Sequence, residues 1–141
     1  MSAHESNVTV KVMQWVSIAD DDLRYARYGL GMPEHPPYRL IAYHSQQCVE
    51  KYLKAYLVMK NMDFPYTHNI ALLLELCADS ADWTERVKDA EELSVFAISV
   101  RYPGNDEDVS REEALRAIDS AMKVRDTVRS ALRHEGLALS E

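Results

Sequence analysis

The residues of this chain best suited to chemistry sit in the stretch HSQQCVEKYLK from His44, and a second group follows in RYPGND from Arg101. In a helix, Gln47, Lys51 and Lys54 fall at i, i+4 and i+7 and share one line, with His44 at its edge. Two ammonium groups and an amide on one line can meet a phosphate or a carboxylate. The same spacing also suits ordinary solvated lysines on a helix face. Arg101 stands where a long apolar pattern breaks, before Tyr102, Pro103 and Gly104. A guanidinium there can fork onto phosphate, and Tyr102 can stack on a base. The plainer alternative is that Arg101 pairs with an acid of its own chain, Glu50 or one of Asp106 to Asp108.

Other chemistry fits less well. His44 and Cys48 have half of a zinc spacing, but no second pair completes four ligands, so no metal site is expected. Asp20, Asp21 and Asp22 are adjacent, and successive helical residues diverge by about 100°, so the three cannot converge on one magnesium ion. Gly-rich phosphate loops, nucleophile elbows and RNA-binding aromatic platforms are absent from the sequence.

The elements that carry these residues are helical. A period near 3.6 runs from about Thr9 to Leu30, Tyr38 to Lys60 and Asp82 to Val100. A short helix is expected from about Asn69 to Cys77, with Thr67 as its cap, and a last long one starts at about Arg111 behind the capping box Ser110 to Glu113. Prolines and glycines punctuate the joints. The expected fold is all-α, an up-down antiparallel bundle of four long helices plus one short helix, in one domain over 1–141 with its core at about 9–134.

The second long helix has two apolar sides. Ile41, Cys48, Val49, Tyr52, Ala55, Tyr56 and Met59 form one stripe, while Leu53 and Leu57 lie nearly opposite. The helix is therefore central or shared, with Leu53 and Leu57 either burying a homodimer contact or packing under the short third helix.

Composition narrows the class. A net charge of -7 argues against general nucleic-acid binding, although 38–60 is locally basic, with Arg39, Lys51, Lys54 and Lys60 against Glu50. Cys48 and Cys77 lie in helical patterns outside any CxxC arrangement and read as buried free thiols. No apolar run is long enough to span a bilayer, and no leader pattern opens the chain, so a cytoplasmic protein is expected.

HSQQCVEKYLKAYL from His44, THNIALLL from Thr67 and RYPGND from Arg101, in this order, resemble the HEPN family, the higher eukaryote and prokaryote nucleotide-binding domain. The resemblance runs from about Trp15 to the last helix, and it points to the branch with an RYP motif. It implies nucleotide or phosphate binding, a homodimer, and action beside a minimal nucleotidyltransferase partner, as in toxin-antitoxin-like cassettes. Many family members are metal-independent ribonucleases that use an arginine and a later histidine with four to six residues between them. Here Asp106, Glu107 and Asp108 stand at those distances from Arg101. Arg39 with His44 and Arg129 with His134 match the spacing elsewhere, about as often as chance allows for ten arginines and five histidines. The resemblance thus implies a non-catalytic nucleotide-binding module without a resident cofactor, with Arg101, Lys51, Lys54, His44, Gln47 and Tyr102 at its site. The alternatives are a degenerate ribonuclease and a dimerisation module without ligand.

Overall fold

The computed structural model describes residues 2–97 and 108–140. Its elements are α1 (Ala3–Leu30), α2 (Tyr38–Met59), α3 (Ile70–Ala78), a 3-10 segment (Thr84–Phe96) and α4 (Arg111–His134). The described residues form a helical bundle without strands, as the periodicity predicts.

α1 begins earlier than the apolar pattern suggests. Ser2 accepts from the Glu5 amide, and the Glu5 carboxylate accepts from the Ser2 amide. That capping box satisfies two amides that would otherwise be orphaned and starts the helix at Ala3, six residues before the expected Thr9. The same device opens α4, where Ser110 and Glu113 exchange hydrogen bonds as expected. At α3 the cap is Asn69, which accepts from the Leu72 amide, and not Thr67, whose hydroxyl accepts from the Asn69 amide one step earlier.

The fourth pattern is not an α-helix over its described part. Val87, Ala90, Leu93 and Phe96 are three residues apart, and a helix of three residues per turn lines them up where an α-helix would let them drift. Val87 leaves helical geometry (φ -116, ψ 17), which divides the long segment into two shorter runs. Val87, Ala90 and Leu93 are buried.

α2 is the centre of the molecule and packs against α1, α3, the 3-10 segment and α4. This explains its two apolar sides. Leu53 and Leu57 are each 0% exposed within the single chain, so neither offers surface to a second copy. They pack inside, and the Cys77 thiol of α3 reaches the Leu53 carbonyl at 3.8 Å. The homodimer role expected of Leu53 and Leu57 is thereby corrected: the central position of α2 consumes both faces. Cys48 and Cys77 are buried free thiols, and burial pushes Cys77 up to about 12. Where α1 turns into α2 the two approach closely, since a Cβ on Gly29 would lie 3.0 Å from the Ile41 side chain.

Contacts fix the directions of the helices. Asp20 meets Tyr52, and Asp22 meets both His44 and Lys51, so α1 and α2 run antiparallel. Tyr52 meets Arg129 and Lys60 meets Glu135, so α2 and α4 run parallel, as the second and fourth legs of an up-down bundle do. No helix among the described residues is long and apolar enough to cross a membrane.

Candidate functional site

The polar line of α2 is built around carboxylates. His44 Nδ1 lies 2.9 Å from Asp22 Oδ1, and Lys51 Nζ donates to Asp22 Oδ2 at 2.6 Å. His44 is further enclosed by the rings of Tyr25 and Tyr43, 4.7 and 5.1 Å away between centroids. One turn on, Lys54 Nζ donates to Glu50 Oε2 at 3.0 Å, and His68 Nδ1 lies 2.7 Å from Glu50 Oε1. Gln46 donates to the same oxygen of Glu50 at 3.1 Å, and Gln47 donates to Gln46 Oε1 at 2.6 Å.

Two groups result. Asp22 collects His44 and Lys51, while Glu50 collects Lys54, His68 and Gln46, with Gln47 joined through Gln46. Lys54 and Glu50 are 5% and 3% exposed, and the Lys54 ammonium lies about 6 Å from the centroids of the Trp15, Phe64 and Tyr66 rings. Burial alone would push the Glu50 carboxyl up, but hydrogen bonds from His68, Gln46 and Lys54 outweigh it and hold the group below its ordinary value. The lysine line that spacing offers to an external anion is thus already neutralised from within. Glu50, a candidate partner for Arg101 by charge, is engaged with Lys54, His68 and Gln46. Arg101 and Tyr102 lie outside the described residues.

The three aspartates of α1 diverge as the helical geometry requires. Asp22 faces α2, the exposed Asp21 pairs with Arg24 on its own helix, and Asp20 faces α4. There Asp20 Oδ1 accepts from Arg125 Nε at 3.0 Å and from the Tyr52 hydroxyl, and Asp20 Oδ2 accepts from Arg129 Nη1 at 3.2 Å. Burial, followed by donation to Asp20, pushes the Tyr52 phenol above its ordinary value and keeps it a donor. No group of three or more metal-ligating side chains is present among the described residues.

Neither arginine and histidine pair of ribonuclease spacing forms a dyad with both partners free. Arg129 is 4% exposed and held by Asp20 and Tyr52, whereas His134, five residues on, is exposed. Arg39 is exposed, but His44 is tied to Asp22.

The family model described as the HEPN domain matches residues 12–131. The chain belongs to the HEPN family. Two solved structures share the HEPN fold with it. A crystal structure of ST0689, an archaeal HEPN homologue, has a TM-score of 0.68 at 24% identity and covers 85% of this chain and 96% of its own. That of TT1696 from Thermus thermophilus has a TM-score of 0.68 at 26% identity and covers 85% of this chain and 97% of its own. No curated protein matches significantly. Within this HEPN bundle, one polar group centres on Glu50 and His68, a second on Asp22, and a third runs from Tyr52 through Asp20 to α4.

The α1 side of this network is hard to find from spacing on α2 alone. The signal is the alternation in Asp20, Asp21 and Asp22, whose outer members flank the core stripe of α1 while the middle one points away from it.

Proposed function

We propose that this HEPN protein is a cytoplasmic nucleotide-binding and interaction module of the RYP-containing branch, acting beside a minimal nucleotidyltransferase and performing no catalysis of its own. The observation that carries the reading is the acidic run Asp106 to Asp108 where the ribonucleases of the family place their histidine after the arginine. Carboxylates there repel a scissile phosphate, and they cannot supply the imidazole that trades a proton near neutral pH. A nucleotide held by Arg101 and stacked on Tyr102 needs no such proton transfer.

With Lys51 and Lys54 paired internally, this reading rests its phosphate contact on Arg101. Any self-association uses a surface other than Leu53 and Leu57, which are buried. Calorimetric titration of a nucleoside triphosphate into the protein and into its Arg101→Ala variant is the test. Loss of a forked, charge-assisted contact is expected to weaken binding about tenfold or more, with the unliganded melting temperature unchanged. Equal affinities would remove Arg101 from the site.

A further inference from the structure

α4 carries Arg125, Arg129 and Arg133 at i, i+4 and i+8, a ladder of guanidinium groups along about 12 Å of one helix face. Among the described residues, two carboxylates answer these three cations. Asp20 takes Arg125 and Arg129, and the largely exposed Asp126 accepts from Arg125 at 3.4 Å. Arg133 has backbone carbonyls instead: its Nε donates to Leu139 at 3.4 Å and its Nη2 to Ser140 at 3.1 Å. The same Ser140 carbonyl accepts from Arg129 Nη2.

Arg129 is the decisive residue. Its side chain is buried, yet its Nε has no hydrogen-bond partner among the described residues. Nε and Nη2 make up the side-on fork with which arginine grips two oxygens of one anion. Ser140 supplies a single neutral oxygen to that fork and leaves half of it empty. An unmade hydrogen bond at a buried donor is costly, so a two-oxygen group fits this place better than the carbonyl does.

Room for the rest of a ligand lies alongside. A groove of about 970 Å3 opens between α1 and α4, with Arg24, Arg27, Tyr28 and Arg125 among its walls and Asp20 shared with the ladder. The segment after α4 crosses the far end of the ladder. Leu137 anchors it by burial, while Ser140 is exposed.

We propose that Arg125, Arg129 and Arg133 form a receptor for a di- or triphosphate group, and that residues 138–140 cover part of it as a displaceable strap. The inference rests on the phosphate-binding reading given above but assigns the contact to α4. A polyphosphate fits the ladder better than one carboxylate does, because three guanidinium groups spread over this length need several charged oxygens. When the ligand enters, its oxygens replace the Leu139 and Ser140 carbonyls on Arg133 and fill the fork of Arg129.

The test is calorimetric titration of inorganic pyrophosphate into the full chain, into a chain ending at Leu137, and into the shortened chain carrying Arg133→Gln. The shortened chain keeps its buried Leu137 and is expected to bind at least about tenfold tighter than the full chain, since no carbonyl competes for the fork. Arg133→Gln is expected to undo most of that gain without moving the unliganded melting temperature, and Arg129→Lys, which keeps the charge but loses the fork, to weaken binding similarly. Equal affinity of the full and shortened chains, indifference to Arg133→Gln, or no binding by either chain would overturn the proposal. Nucleotide competition separates it from the wider reading. Nucleotides that bind irrespective of Arg133 and of the strap would leave that reading standing and end this one. Pyrophosphate that binds through Arg133 while no nucleotide binds the protein at all would do the reverse.

Discussion

Glu50→Ala is expected to destabilise this HEPN protein by about 3 to 5 kcal/mol, a fall in melting temperature on the order of 10 °C. Glu50 is 3% exposed and is the acceptor shared by Lys54, His68 and Gln46. Removing it leaves the 5%-exposed Lys54 ammonium without a counterion in the interior. The cost is the stranded charge more than the lost attraction. For that reason Glu50→Leu combined with Lys54→Met is expected to recover most of the stability, because a buried ion pair replaced by apolar side chains of similar volume is often near neutral. Thermal unfolding of the single and double variants checks both halves. A single variant that melts with the parent would show that the Glu50 group contributes nothing.

The same residue sets an acid limit. Its folded carboxyl is held below the ordinary value. Its stabilising contribution is therefore complete above the unfolded carboxyl's pKa and is lost as pH falls through the lower, folded one. Stability is expected to drop on the acid side of the ordinary carboxylate range, and the drop is expected to shrink in the double variant that combines Glu50→Leu with Lys54→Met.

Three adjacent aspartates provide the second large effect and its control. Asp20→Ala removes the acceptor of Arg125, Arg129 and Tyr52 together, leaving the 4%-exposed Arg129 with only the Tyr52 hydroxyl and the Ser140 carbonyl. The expected loss is about 3 kcal/mol, as for other broken buried pairs. Asp21→Ala, one residue away, breaks only an exposed pair with Arg24 and is expected to change stability by less than about 0.5 kcal/mol. Denaturant unfolding with a common slope would resolve the two. Equal losses at Asp20 and Asp21 would contradict the arrangement of α1 against α4.

The fold is legible in the sequence because its signals are local. Apolar spacing, proline and glycine punctuation, and the capping box at Ser110 place three of the α-helices to within a residue or two at most of their bounds. Two departures have local causes as well. The box from Ser2 to Glu5 escapes the apolar pattern because no residue of the core stripe follows it until Val12. The segment from Thr84 passes for an α period although Val87, Ala90, Leu93 and Phe96 repeat every three residues.

The site is less legible, and for a different reason. Spacing on α2 shows that Lys51 and Lys54 share a line, but it cannot show what stands across from them. Asp22 comes from α1, His68 from the loop before α3, and Asp20 reaches Arg125 and Arg129 on α4. Their partners are set by packing over tens of residues of sequence, which no helical period encodes. The central place of α2 likewise turns Leu53 and Leu57 from a surface into core.

On the proposed function, this HEPN bundle holds a nucleotide without cleaving RNA. The most direct measurement is thermal unfolding at fixed protein concentration against nucleoside mono-, di- and triphosphates, with and without magnesium. A ligand that binds only the folded state adds about 2.7 kcal/mol at one hundred times its Kd, so a selective upward shift for one phosphate class is the predicted result. No shift with any nucleotide at millimolar concentration would contradict that function and leave a helical interaction module that carries no nucleotide.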